Sequence, residues 1–225
     1  MKLYTPNNHI VVEIADHFYL VDTGSPVSFT YLADRSIRLD GAEYMLSQMP
    51  ICPKEMADRL TGMDISGFIG MDIIAENGLS IDYEQGRLEF KVTEEIGTSF
   101  TMPVSSFAKM FICMDTISIG DKMGLTIIDT GACISYLSRE HLSGLVETDE
   151  DYHDDNPASG AIEGHFFLGE ISFDGDVEGR YTHAVKVGEL PAVFEMIGAD
   201  AVIGPHTLSD KAVVIDLENS RIGIR

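Results

Sequence analysis

Two aspartates carry the clearest chemical signal in this 225-residue chain. Asp22 ends the apolar run Tyr19-Leu20-Val21 and is followed by Thr23-Gly24-Ser25. Asp129 ends Thr126-Ile127-Ile128 and is followed by Thr130-Gly131-Ala132. A carboxylate directly after buried strand residues is costly unless it is paired or used. Glycine permits a tight turn that brings the backbone close to that carboxylate, and a threonine hydroxyl can hydrogen-bond across to a twin loop. One such loop is no more than a strand-terminal turn. Two of them, in halves related by a pseudo-twofold axis, would set Asp22 facing Asp129. Carboxylates that share a site cannot both ionise cheaply, so one keeps its proton. The pair then offers a base to activate water and an acid to protonate a leaving group.

The elements that must position these loops also repeat. The two Asp-Thr-Gly segments lie 107 residues apart. Phe68-Ile69-Gly70 matches Val202-Ile203-Gly204 at an offset of 134, and residues 79–90 match 213–224 at the same offset. Three matches in one order argue for a duplicated chain, whose second copy holds 27 more residues between its Asp-Thr-Gly and its apolar-apolar-Gly. Each copy is predicted to be mostly β. Residues 9–14 and 17–21 read as strands around the Ala15-Asp16 turn, and 114–119 and 125–128 repeat the pattern. Residues 81–90 and 215–224 carry hairpin signatures. Short helices are expected over 53–60, with proline in the first turn, and over 138–145, capped by Ser138. The Gly and Ser content of 94–107 marks the junction, giving an N-terminal lobe over 1–97 and a C-terminal lobe over 98–225.

With these segments in place, the chain resembles an aspartic protease of the pepsin and retropepsin clan. Val21-Asp22-Thr23-Gly24-Ser25 and Ile128-Asp129-Thr130-Gly131-Ala132 match the two active-site loops of that clan, and Phe68-Ile69-Gly70 and Val202-Ile203-Gly204 match the segments that buttress them. The resemblance spans roughly residues 10–225. It implies an all-β, bilobal acid-protease fold of pseudo-twofold duplicated lobes, with the active-site cleft between them. It implies further that Asp22 and Asp129 form the dyad holding a nucleophilic water, that Thr23 and Thr130 give interlocked support, and that Gly24 and Gly131 supply backbone amides. The activity implied is endopeptidase cleavage of a polypeptide substrate, at bonds flanked by apolar residues, with no metal and no cofactor. Two alternatives stand beside it: a non-catalytic peptide-binding module on the same fold, and a dedicated processing protease with one target.

The chain also departs from the clan. It is shorter than pepsins, and 48 residues from Asp22 to Gly70 leave little room for a first-lobe flap. Tyr44, in a candidate hairpin over 37–46, reads first as a core or surface tyrosine, with mimicry of the pepsin flap tyrosine as the alternative. The longer second lobe offers another candidate flap at Ser159, Gly160, Ala161 and Ile162, set against the reading of an ordinary surface hairpin. Pepsins place a hydroxyl after both active-site glycines, whereas here Ser25 follows the first and Ala132 the second. Losing a hydroxyl that favours the ionised carboxylate is expected to raise the lower pKa of the pair, which places the activity optimum at about pH 4–6.

Composition narrows the partners. With 37 Asp and Glu against 15 Lys and Arg the net charge is −22, which disfavours nucleic acid and anionic membrane surfaces. A 44% hydrophobic content supports a normal core. Cys52, Cys133 and Cys113 show no metal-binding spacing, and no signal peptide or membrane span is visible, so the sequence reads as a cytoplasmic protein with free thiols. Since one chain supplies both loops, a monomer is expected. The acidic run 147–155 reads as a solvated mobile loop, and His206 as a packing residue rather than a participant in chemistry.

Overall fold

The computed structural model describes residues 1–92, 99–101, 104–107, 110–113, 115–119, 122–156, 160–173, 181–189, 198–219 and 221–224. The chain is built mainly of strands, as expected. The expected boundary at 97/98 lies outside the described residues.

In the first half, β1 (Val11–Ile14) and β2 (His17–Val21) pair antiparallel around Ala15 and Asp16, both in the left-handed region at φ 49° and 65°. The strand β3 (Phe29–Thr30) follows, then helix α1 (Lys54–Thr61), which ends at a left-handed Gly62. The strand β4 (Ile65–Ile69) inserts between β2 and β3, parallel to the former and antiparallel to the latter. Helix α2 (Met71–Asn77) was not anticipated from sequence. Its Met71, Ile73 and Ile74 are buried and form one apolar face of a two-turn helix. The expected hairpin then appears as β5 (Leu79–Asp82) and β6 (Arg87–Glu89).

The second half repeats this plan. Strand β7 (Lys122–Ile128) pairs with Asp115–Ile119, and β8 (Ser135–Leu137) follows. Helix α3 (Arg139–Leu142) is shorter than expected. Ser138 precedes it but makes no side-chain cap; its hydroxyl meets His141 Nδ1 at 2.9 Å instead. Next come β9 (Val146–Asn156), β10 (Gly160–Phe173) and β11 (Tyr181–Glu189), a long antiparallel meander that accounts for the extra length of this half. The acidic run is therefore strand, not loop. Tyr152 and Asp154 are buried while Asp151 and His153 are exposed, a period-two alternation that its charge density conceals. Strand β12 (Ala201–Ile203) inserts between β7 and β8 as β4 does in the first half, and α4 (Pro205–Leu208) mirrors α2.

The closing hairpin, β13 (Ala212–Asp216) and β14 (Arg221–Ile224), joins the halves. Val213 of β13 pairs with Ile81 of β5, so one sheet runs Ser99–Thr101, β14, β13, β5, β6. Part of the expected junction is thus an edge strand of this shared sheet. One apolar cluster continues across both halves, with Ile69, Leu79 and Ile81 packed alongside Ile128, Val213 and Ile222.

Candidate active site

Each aspartate sits where a strand runs past its parallel neighbour. The N–H of Asp22 donates to the Ile69 carbonyl at 2.9 Å, and that of Asp129 to the Ile203 carbonyl at 3.0 Å. The apolar-apolar-Gly segments are therefore the supports of the two loops. After each aspartate the chain turns sharply. Gly24 and Ser25 direct their N–H groups at Asp22 Oδ1 (2.8 and 3.0 Å), and Gly131 donates to Asp129 Oδ1 at 2.9 Å.

The loops then lock into each other. Thr23 N–H donates to Thr130 Oγ1 at 3.0 Å, and Thr130 N–H donates to Thr23 Oγ1 at 2.9 Å. Each hydroxyl passes its own proton to a carbonyl beneath the opposite loop, Thr23 to Ile128 and Thr130 to Val21, both at 2.8 Å. All four groups are buried, where an unsatisfied polar atom is expensive, so the two loops hold each other in register.

This lock presses the carboxylates together. A Cβ added at Gly24 would lie 2.7 Å from Asp129 Oδ2, and one added at Gly131 would lie 2.5 Å from Asp22 Cγ. Only glycine admits that approach. Gly131→Ala is expected to displace the Asp22 carboxylate and, on the peptide-cleaving role that the sequence resemblance implies, to reduce cleavage by about a hundredfold or more. Its steady-state kinetics, compared with the circular dichroism of the folded protein, would check this.

Both carboxylates are half-buried. Burial pushes the Asp22 carboxyl well above its usual range, and the neighbouring charge of Asp129 pushes it the same way. Asp129 is raised by burial too, but the N–H groups of Gly131, Ala132 and Gly24 and a hydrogen bond from Asp22 oppose the rise. The pair thus favours one shared proton. Ser25 departs from the expected role. Its hydroxyl donates to the Val27 carbonyl at 3.0 Å, leaving its backbone N–H as its contact with Asp22. Ala132 brings no hydroxyl, and its N–H meets the Asp129 carbonyl at 3.3 Å.

Two supporting residues escaped the sequence reading. Ser28 Oγ accepts the Gly70 N–H at 2.8 Å, and Ser135 Oγ accepts the Gly204 N–H at 2.9 Å. The two serines lie 107 residues apart, the same offset as the aspartates, so the repeat itself contained the signal. Ser28 is anchored by Asp72 of α2 and Ser135 by Thr207 of α4.

The carboxylates open into a cleft of about 310 Å³. Its apolar walls include Leu20, Ile51, Phe68, Ala132 and Val202. Cys52 also lines it, with its thiol pushed up to about 11 by burial; burial likewise pushes the thiol of Cys133, which meets Asp154, up to about 12, so neither is a ready thiolate. His9, buried at the same cleft, has its pKa lowered by burial against the opposing pull of Asp154.

Of the candidate flap residues, Ser159 lies outside the described residues. Gly160 and Ala161 are exposed at the start of β10, and Ile162 packs against the Tyr136–Tyr152 cluster. Among the described residues of this hairpin, Asp154 and Asp155 of β9 line the cleft. Tyr44 lies away from the cleft, packed on the core with its hydroxyl donating to Asn77 Oδ1 at 2.8 Å. His206 lines a separate small cavity beside Tyr83. Among the described residues, no group of three or more His, Cys, Asp or Glu side chains is placed to hold a metal ion, and no helix is long and apolar enough to cross a membrane.

No family model matches the chain, and no curated protein matches it in sequence. Solved structures do match its fold along the whole length. Basic 7S globulin from soybean aligns with a TM-score of 0.61 at 10% identity, covering 100% of this chain and 93% of that one. An aspartic proteinase from Irpex lacteus aligns with a TM-score of 0.53 at 12% identity, covering 99% and 95% respectively. The chain therefore has the pepsin-like aspartic proteinase fold. At such identities the likeness carries architecture alone, and activity has to be argued from the site.

Proposed function

We propose that this protein is an aspartic endopeptidase in which Asp22 and Asp129 activate a water molecule for attack on a peptide carbonyl. The observation that carries this reading is the reciprocal threonine lock, which brings two carboxylates from separate halves to a shared proton. The ionised member takes a proton from water as it attacks. The protonated member gives its proton to the carbonyl oxygen; the adduct then collapses as the first carboxyl passes the proton it gained to the leaving amine and the second takes a proton back from an adduct hydroxyl, breaking the C–N bond and restoring the pair. The apolar walls suit apolar side chains flanking the scissile bond. A pure binding module would gain little from two facing buried acids, which repel each other when ionised. Both acids belong to one chain, so the reading needs no second copy.

The test is cleavage of a mixed pool of unstructured peptides, read by mass spectrometry from about pH 3 to about pH 7, with wild type and Asp22→Asn side by side. Cuts confined to wild type support the reading. No Asp22-dependent cut anywhere in that range would remove general endopeptidase activity and leave peptide binding without catalysis, or cleavage of one dedicated target, as the better account.

The raised carboxyl pKa values also fix a pH dependence. An unfolded aspartate titrates near about 3.9. Folding raises both carboxyls above that value, so the folded chain binds their protons more tightly. Their contribution to stability is complete below about pH 4 and is lost as pH rises through the folded pKa values. Wild type is therefore expected to lose thermal stability relative to Asp22→Asn between about pH 4 and about pH 7. Melting curves at the two pH values check this; a difference that stays constant would mean that the pair ionises without penalty. Cleavage should fall at the upper end of this interval, as the shared proton leaves.

A further inference from the structure

The hairpin of β9 and β10 is fastened to both halves of the molecule by two consecutive residues. Neighbouring side chains on a strand point to opposite faces. Asp154 turns toward its own half, where its carboxylate accepts hydrogen bonds from the Tyr136 hydroxyl and, at 3.4 Å, from Cys133 Sγ. Both donors lie just beyond the second aspartate loop. Asp155 turns the other way and meets Arg59 on α1 of the first half, 96 residues distant in sequence. Arg59 Nε and Nη2 reach the same carboxylate oxygen at 2.9 and 2.8 Å. Asp154 and Asp155 line the cleft together with Asp22 and Asp129, so this strand links the two halves at the cleft.

The two attachments differ in kind. Asp154 is 9% exposed and satisfied by neutral donors within its own half. The side chain of Arg59 is 61% exposed and that of Asp155 19%. A half-exposed ion pair of this sort forms and breaks at small cost and weakens with salt. His153 Nε2 also lies beside Asp155, at 3.9 Å.

We infer that Arg59 and Asp155 form a releasable clasp that closes the second-half hairpin over a peptide strand in the cleft. The inference rests on the endopeptidase reading. With the clasp shut, the strand ties the two walls of the cleft together and restricts the entry of a polypeptide on that side. Cleavage within a chain requires the bridge to open, admit the strand sideways and close above it. Asp154 remains as the fixed attachment about which the strand moves. Arg59 and Asp155 are positioning residues, since they act by holding the hairpin over the substrate and not on the scissile bond.

The experiment measures dissociation of a statine-containing peptide, whose secondary alcohol imitates the tetrahedral adduct, by surface plasmon resonance. Arg59→Ala and Asp155→Ala are each expected to release it about fivefold faster or more, as loss of a charge-assisted pair implies. The reversed pair Arg59→Asp/Asp155→Arg should return the rate to within about twofold of wild type. Raising salt from about 0.05 to about 0.5 M should speed release from wild type but not from Arg59→Ala. Single variants that release at the wild-type rate would overturn the clasp, as would a reversed pair no better than either single change. If wild type binds no statine peptide and cuts no peptide, the endopeptidase reading falls by itself. The clasp is then read in the free protein by amide hydrogen exchange along β9 and β10. Exchange should quicken in the single variants and recover in the reversed pair; equal exchange in all of them would overturn it.

Discussion

Asparagine at position 22 or 129 is expected to lower kcat for peptide cleavage by about a thousandfold or more, with little change in KM, because the loss falls on proton transfer in the transition state. The two sites are predicted to act as a unit. With one amide in place, the pair can no longer take a proton from water while another carboxyl donates one. Asp22→Asn/Asp129→Asn should therefore be scarcely worse than either single variant, a non-additivity expected of groups that work together. Asparagine keeps the shape of the carboxylate and an oxygen to accept the Gly24 or Gly131 N–H, so the fold should persist. Steady-state kinetics on one cleavable peptide, with melting temperatures in parallel, decide the matter. Single variants that retain a tenth of the activity would place the chemistry elsewhere.

Thr23→Val is the substitution expected to cost most in stability. Valine matches threonine in shape but can neither donate to Ile128 O nor accept from Thr130 N–H, so two buried backbone groups lose their partners together. At about 1–3 kcal/mol for each unsatisfied group, a loss of about 3 kcal/mol is expected. For a chain of this size that lowers the melting temperature by about 6–12 °C. Thr130→Val should behave alike, because its contacts with Val21 and Thr23 mirror the first set. The exposed Thr5, whose side chain makes no cap to the turn it precedes, is a suitable control for the loss of a hydroxyl alone. Urea unfolding of the three variants gives the comparison, and a Thr23→Val protein as stable as the control would show that the lock bears no weight.

The fold was readable because its information is local and occurs twice. An apolar strand ending in Asp-Thr-Gly, then an apolar-apolar-Gly, then a hairpin, recur in the same order, and the structure lays both copies on one plan. The aspartates were legible for the same reason. Ser28 and Ser135 sat at the same spacing but went unread, because a serine gives no chemical alarm until its glycine partner is seen in space. The run 147–155 misled through composition. Nine residues rich in acid look solvated, yet one face of that strand buries Tyr152 and Asp154 against Tyr136 and the cleft. Arg59 stayed invisible because its partner belongs to the other half, and nothing near it in sequence announces a contact 96 residues away. Tertiary pairing between halves leaves no periodic trace.

The crossed threonines make the carboxylate pair a joint product of two pieces of chain. Neither half holds the proton-sharing arrangement alone, since each loop borrows its backbone partners from the other. Antiparallel pairing of β5 with β13 supplies a surface on which the pieces can recognise each other. Expressed as two polypeptides, the halves would behave as a coincidence detector: silent apart, cutting only when brought together, with a signal rising as the product of their concentrations.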